Sequence, residues 1–152
     1  MEEIRDVEHK ERKMPPIEKI PEAWSAIADG RVKGVGDNRF EVDSSNGEKS
    51  YIVTLSGTRY RSNDSATKFV RYPGYPVLAV MMENGQLPLN KNLLVYFKDI
   101  NWNAINKKYK RDYSAALQAA LDEKNISAEE RKHIYDEMQY CYDKLRESEY
   151  HV

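Results

Sequence analysis

Apolar and polar residues alternate in two short stretches of the first half of the chain. Residues 39–43 read RFEVD, and residues 51–55 read YIVTL, which is rich in β-branched and aromatic side chains. Between them, residues 44–47 read SSNG, and an Asn-Gly pair favours the tight turns that connect antiparallel strands. The pattern predicts a β-hairpin, to which residues 32–35 add a third strand.

Helical patterns precede and follow this hairpin. Residues 21–30, PEAWSAIADG, predict a short helix with proline in its first turn and Gly30 just after its end. Residues 76–82, PVLAVMM, predict a second short helix. Residues 56–75 show no periodicity and are interpreted as a loop, whereas the aromatic-rich residues 93–102 fit a strand and a helix equally well.

The C-terminal part has the spacing of two helices joined by a short turn. Residues 112–124 form the first helix, and Ser127 and Glu130 match a capping box at the start of the second. One face of that second helix is apolar at steps of three and four residues: Ile134, Met138, Cys141, Tyr142 and Leu145. The whole pattern predicts an α+β fold, in which a small antiparallel β-hairpin or sheet with a packed short helix is followed by a C-terminal α-helical hairpin.

Cysteine content and the lengths of the apolar runs limit the cellular setting. Cys141 is the only cysteine among 152 residues, so no intramolecular disulfide can form and a reducing compartment is expected. The N-terminal residues lack the pattern of a secretory signal. The longest apolar run, residues 77–82, is far shorter than the roughly 20 residues of a membrane-spanning helix. We expect a soluble intracellular protein, in the cytoplasm or at the nucleoid or nucleus, with no membrane partner.

Residues that perform catalysis are not grouped in any recognisable motif. His9, His133 and His151 are far apart in sequence, and none lies next to a nucleophile or at metal-ligand spacing. Cys141 lies on the apolar face of the last predicted helix and is interpreted as a core residue. The sequence therefore predicts a protein that is not an enzyme and that uses no cofactor.

Charge is distributed unevenly, although the net charge is only −1. Residues 51–111 contain ten basic and three acidic side chains, whereas residues 1–50 and 112–152 are acidic. A basic middle segment is typical of an anion-binding face, and it is equally consistent with pairing between segments of the same chain.

Basic residues of this middle segment are interleaved with aromatic ones, a combination that binds phosphates and stacks on unpaired bases. The candidates for nucleic-acid binding are Arg59, Tyr60, Arg61, Lys68, Arg71, Lys107, Lys108, Lys110 and Arg111. In the alternative interpretation, residues 107–111 pair with the acidic C-terminal helices, and the rings of the 56–75 loop form a local core.

Residues 27–83 resemble a SWIM domain, the small zinc-binding hairpin-and-helix module of Mutator-like transposases. The resemblance rests on AIADGRVKGVGDNRFEVDSSNGEKSYIVTL, a loop, and RYPGYPVLAVMM, in that order. In the family, Cys-x-Cys follows the second strand and Cys-x-His opens the helix. The matching positions hold no zinc ligand, because they are Arg59, Arg61, Gly74 and Pro76.

The resemblance implies a SWIM-like module that has lost its metal site. It divides the chain into a charged arm (1–20), the SWIM-like α/β module (21–90) and an aromatic-rich connection with the helical hairpin (91–152). Residues 1–13 of the arm fit an exposed helix and a disordered segment equally well. Without zinc, the loop needs another anchor, for which the candidates are Tyr60, Phe69, Tyr72 and Tyr75.

Two functions are expected from these features. SWIM domains act in partnership with other proteins, so the resemblance implies a non-catalytic accessory or adaptor protein within a nucleic-acid-associated complex. Tyr135, Tyr140 and Tyr142 of the last helix are the candidates for the interface with a protein partner or a second copy. The alternative is direct binding of DNA or RNA through the basic aromatic loop, which salt would weaken steeply.

Overall fold

A computed structural model describes residues 12–152, and the predictions for the first eleven residues lie outside the described part. The strands are β1 (Val32–Gly36), β2 (Arg39–Asp43), β3 (Ser50–Ser56) and β4 (Arg59–Ser62). The helices are α1 (Lys19–Ala28), α2 (Tyr75–Glu83), α3 (Trp102–Lys108), α4 (Tyr113–Glu123) and α5 (Ala128–Glu147). A π-helical turn at Ala66–Val70 and a 3₁₀ helix at Lys91–Phe97 complete the α+β fold.

The four strands form one antiparallel sheet in the order β1-β2-β3-β4. The predicted β2–β3 hairpin is confirmed, and its turn contains Gly47 at φ 74°, a conformation that favours glycine. β4 lies inside the segment that was predicted to be a loop, so that prediction was wrong. Its sequence, RYRS, has little intrinsic strand preference, and pairing with β3 supplies the order instead.

Helix α2 is the centre of the core. Its residues from Pro76 to Met82 are all buried, as expected of a helix that is apolar on every side. It packs against β3 and β4 on one side and against α1 on another. This arrangement covers one face of the sheet, where Val42, Val53 and Tyr60 are fully buried, and leaves the opposite face open.

Residues 93–102, whose pattern fits a strand and a helix equally well, are in large part 3₁₀ helix. A buried polar contact joins this part of the chain to α1. Ser25 Oγ donates to the Phe97 carbonyl at 2.6 Å and accepts from Trp102 Nε1 at 2.8 Å. The ring of Phe97 lies 5.2 Å from that of Trp24, so polar and apolar contacts fix the same junction.

Helix α5 and the residues after it close the molecule. Half of the predicted capping box is confirmed, since Ser127 Oγ accepts from the Glu130 amide at 3.1 Å. After α5 the chain runs beside β4, where the Tyr60 amide donates to the His151 carbonyl and the His151 amide to the Thr58 carbonyl. None of the helices within residues 12–152 combines the length and the apolar character needed to cross a membrane.

Candidate nucleic-acid interface

The open face of the sheet presents the arginines of β4. Successive side chains of a strand point to opposite faces, and Tyr60 points into the core with no exposed surface. Arg59 and Arg61 therefore lie on the open face, and both are exposed. They pair in register with Ser56 and Thr54 of β3, so small neighbours leave the guanidinium groups accessible.

A buried carboxylate organises the segment that follows β4. Asp64 is only 6% exposed, and its side chain accepts hydrogen bonds from Ser62 Oγ, from the Thr67 amide and from Thr67 Oγ1. Thr67 Oγ1 in turn accepts from the Gly74 amide at 2.9 Å. We call Ser62, Asp64, Thr67 and Gly74 the Asp64 knot, because it ties the end of β4 to the start of α2.

The Asp64 knot holds a π-helical turn beside the open face of the sheet. The turn spans Ala66–Val70 and ends at Arg71, which has a left-handed backbone at φ 72°. π-Helical turns are rare in proteins, and those that do occur are often found at functional sites. Lys68 and Phe69 protrude from the turn, and 71% of the Phe69 surface is exposed.

An open groove of about 480 Å³ lies between the open sheet face and the π-helical turn. Its cationic side chains come from two separate parts of the chain: Arg59, Arg61, Lys68 and Arg71. None of its described lining side chains is acidic. Arg71 donates to the Val152 carbonyl at 3.1 Å, which fixes one of the four cations at the groove wall. We call this feature the basic groove; it attracts anions by charge and by hydrogen-bond donors.

Five of the nine predicted nucleic-acid candidates meet at the basic groove, but Tyr60 does not present its ring there. The ring is buried, and its hydroxyl donates to Gln86 Oε1 and accepts from Asn84 Nδ2 at 2.9 Å. Burial also raises the pKa of Tyr60. Tyr60 is therefore a core residue and cannot stack on a base.

Phe69 is not buried as one alternative interpretation of the sequence expected. Its ring was a candidate for a local core, whereas in the structure 71% of its surface is exposed, and it is the sequence neighbour of the groove residue Lys68. The Lys68 ammonium lies 5.3 Å from the centre of the Phe69 ring. Of the candidate ring anchors of the loop, Tyr60 is fully buried and Tyr75 packs against the core, and the Asp64 knot, which was not predicted from the sequence, anchors the loop as well.

The other four candidates lie away from the basic groove, at the end of α3 and in the turn after it. Lys107 and Arg111 line a second cavity of about 500 Å³, together with Glu22, Tyr75 and Asn106. Lys108 and Lys110 are exposed and do not line either cavity. The ion pairs described for residues 12–152 involve none of these four cations, so the predicted pairing with acidic helices is not observed there.

The predicted interface tyrosines lie on α5. Tyr135 and Tyr140 are exposed by 40% and 52%, whereas Tyr142 is partly buried and donates to the Pro15 carbonyl at 2.7 Å. The Lys144 ammonium lies 5.6 Å from the centre of the Tyr140 ring. Two of the three tyrosines are thus available at the surface of the helix.

The four positions that match SWIM zinc ligands have different surroundings. Arg59 and Arg61 are exposed, whereas Gly74 and Pro76 are buried. In the part of the chain that the structure describes, no three His, Cys, Asp or Glu side chains are grouped so that they could hold a metal ion. Cys141 is buried, and burial with the nearby Glu137 raises the pKa of its thiol to about 12.

The fold and its groove define an α+β protein whose one open sheet face is lined by cations. The model of the family described as Uncharacterised conserved protein UCP014422 matches residues 12–151, and the chain belongs to this family. Comparison with curated proteins and with solved structures gives no match.

Proposed function

We propose that this protein binds single-stranded nucleic acid through the basic groove. The observation that supports this most strongly is the convergence of Arg59, Arg61, Lys68 and Arg71 on a groove with no acidic lining side chain. Cations in a groove contact successive phosphates, and binding then releases the counterions of the strand.

Single-stranded ligands are favoured over duplexes because of Phe69. Proteins that bind single strands combine a positively charged groove with exposed aromatic rings on which bases stack. Phe69 is the large apolar residue with the greatest exposure in the described part of the chain, and it lies next to Lys68. A stacked base would cover this ring, whereas the paired bases of a duplex are not available for such a contact.

The test is a titration of labelled single-stranded and duplex DNA and RNA at two salt concentrations. On a plot of the logarithm of affinity against the logarithm of salt concentration, each phosphate contact to a single strand contributes a slope of about −0.7. With four contacts, we expect about a 50-fold loss between roughly 50 and 200 mM salt. Binding that is insensitive to salt, or equal affinity for duplex and single strand, would contradict the proposal.

Phe69→Ala is expected to weaken single-strand binding without affecting the fold. Stacking on an aromatic ring contributes about 1–3 kcal/mol per base, which corresponds to about a 5- to 150-fold loss of affinity. The change removes an exposed side chain, so the unfolding midpoint in urea should not move. Tyr140→Ala, which removes another exposed ring outside the groove, is the matched control and should bind like the wild type.

A second function, that of a non-catalytic adaptor, is favoured by the exposed Tyr135 and Tyr140 on α5. Tyrosine is enriched at protein interfaces, where it provides both apolar area and a hydrogen bond. The resemblance of residues 27–83 to SWIM domains supports the same function. The titration separates the two: if no nucleic acid binds even at low salt, the adaptor becomes the better proposal, with a protein or a second copy as the partner.

A further inference from the structure

The second cavity is distinct from the basic groove. It lies between α1, the start of β3, the start of α2 and the α3–α4 turn, and the segment at residues 64–67 separates it from the groove. Its volume of about 500 Å³ is in the range of pockets that bind small molecules. We call it the α1–α3 cavity.

The inner wall of the α1–α3 cavity is polar and rich in acceptors. The Glu22 side chain is 5% exposed, and its Oε2 accepts from Lys19 Nζ at 3.0 Å. Burial raises the pKa of Glu22, although the neighbouring Lys19 opposes the shift. Asn106 Oδ1 is also buried, and none of the described residues donates a hydrogen bond to it.

An acceptor that is buried without a donor is costly. Leaving such a group unpaired costs about 1–3 kcal/mol, so the site favours a ligand that supplies N–H groups. Asn106 and Glu22 both line the cavity, and together they present acceptors to whatever enters it. Asn106 Oδ1 is the unpaired acceptor of the two, whereas the Glu22 carboxylate already has hydrogen bonds with Lys19 and Asn106 and offers its remaining lone pairs. A ligand with two adjacent N–H donors would pair with Asn106 Oδ1 and with the Glu22 carboxylate.

The rim of the cavity has the opposite character. Lys107 and Arg111 line it, both are exposed, and the ion pairs described for residues 12–152 do not involve them. Arg111 has a left-handed backbone, at φ 67°. Such a residue is strained by on the order of 1 kcal/mol, and strain of this kind is concentrated at binding sites. The rim is therefore suited to an anionic group.

Aromatic side chains form the remaining walls. The rings of Tyr51 and Tyr75 meet edge to face with their centres 6.3 Å apart. The Tyr113 ring lies 4.1 Å from the Lys19 ammonium. These rings provide flat apolar surfaces in the same cavity as the acceptors of the inner wall and the cations of the rim.

We propose that the α1–α3 cavity binds a small molecule with two adjacent N–H donors at one end and an anionic group at the other. The donors would meet Glu22 and Asn106, and the anion would meet Lys107 and Arg111. Two sources offer this chemistry. A guanine nucleotide has N–H donors on its base and a phosphate, and free arginine has a guanidinium and a carboxylate.

The test uses isothermal titration calorimetry on the full chain with four probes. GMP is compared with AMP, whose base lacks the adjacent pair of N–H donors, and L-arginine is compared with L-norleucine, which lacks the guanidinium. We expect one of the two donor-bearing probes to bind at least about 10-fold more tightly than its control, as for a lost pair of hydrogen bonds. The probe that binds identifies the source.

Substitutions inside and outside the α1–α3 cavity test whether the probe binds there. Lys107→Ala/Arg111→Ala should weaken it by about 10- to 100-fold, as expected for two charged contacts. Lys108→Ala/Lys110→Ala removes the same charge from the same turn outside the cavity and should have little effect. Glu22→Gln tests the inner wall, provided that its circular dichroism matches that of the wild type.

Three results would overturn the proposal. These are the absence of binding by all four probes at about 5 mM, equal binding within each pair, and equal loss in the two double variants. The Arg59→Ala/Arg61→Ala variant keeps the cavity intact and should bind the probe like the wild type. Its behaviour separates a failure of this proposal from a failure of the basic groove.

Discussion

Replacing Arg59, Arg61 and Arg71 together by alanine is expected to lower the affinity for a single-stranded oligonucleotide by on the order of 10²- to 10³-fold at low salt. Each lost charged contact removes about 1–1.5 kcal/mol, and the three losses act on the same ligand. The salt dependence should also become shallower, by about 0.7 in the logarithmic slope for each lost contact. Fluorescence anisotropy of a labelled oligonucleotide measures both quantities.

The control for this variant must match its change in net charge. Lys91, Lys98 and Lys144 are exposed and do not line the basic groove, so their combined replacement by alanine removes the same three charges elsewhere. An equal loss of affinity in both triple variants would show that net charge, rather than the groove, attracts the ligand. Because Arg71 also contacts the Val152 carbonyl, urea unfolding of the variant should accompany the binding measurement.

Gly74→Ala is expected to destabilise the protein by about 3 kcal/mol or more, the largest effect on folding that we predict for a single methyl group. A Cβ at position 74 would lie 2.1 Å from Asp64 Oδ2, 3.0 Å from its Cγ and 3.3 Å from Ala66 Cβ. The Asp64 carboxylate cannot move aside freely, because Thr67 and Ser62 hydrogen-bond to it. Relieving the clash therefore breaks the Asp64 knot.

The measurement is the free energy of unfolding from urea titration. Gly34→Ala is the matched control, because a Cβ there meets nothing within 4 Å and its backbone is in a strand. If Gly74→Ala were as stable as Gly34→Ala, the Asp64 knot would be loose enough to accommodate a methyl group. The groove would then need another source of order. A Gly74→Ala protein that remains folded should also bind single strands more weakly, since the knot holds Lys68 and Arg71 in place.

The sequence pattern does not distinguish the buried ring of Tyr60 from the exposed ring of Phe69. Both are aromatic, both have basic neighbours, and the local sequence gives no reason to treat them differently. Their surroundings differ because β4 pairs with β3, which turns Tyr60 towards α2, whereas Phe69 lies on a π-helical turn at the surface. The β3–β4 pairing is local, since Leu55 is the register partner of Tyr60, but the residues that cover the Tyr60 ring and bind its hydroxyl, such as Asn84 and Gln86, lie much further along the chain.

The Asp64 knot could not be predicted from the sequence for a similar reason. Residues 62–65 read SNDS, a cluster that indicates a turn but does not indicate that its one carboxylate, Asp64, is buried. The hydrogen-bond partners of Asp64, Ser62 and Thr67, are near it in sequence, but the close approach of Gly74 to the carboxylate is decided only by the tertiary structure. In the sequence alone, Gly74 is an ordinary loop residue that follows Pro73.

The sequence alone determined those parts of this protein in which neighbouring residues supply the physical cause. Alternation of polar and apolar residues and an Asn-Gly turn specify the β2–β3 hairpin. Ser127, whose hydroxyl oxygen accepts a hydrogen bond from the Glu130 amide, specifies the start of α5. The sequence already grouped Arg59, Arg61, Lys68 and Arg71 in one basic segment, but the tertiary structure alone decided that they line a groove and that the cations of residues 107–111 lie outside it. Arg59 and Lys68 meet at the basic groove, while Lys107 and Arg111 line a different cavity. Charge along a chain is a one-dimensional property, but a binding site requires convergence in space, and only the packing of the sheet, the π-helical turn and α3 produces it.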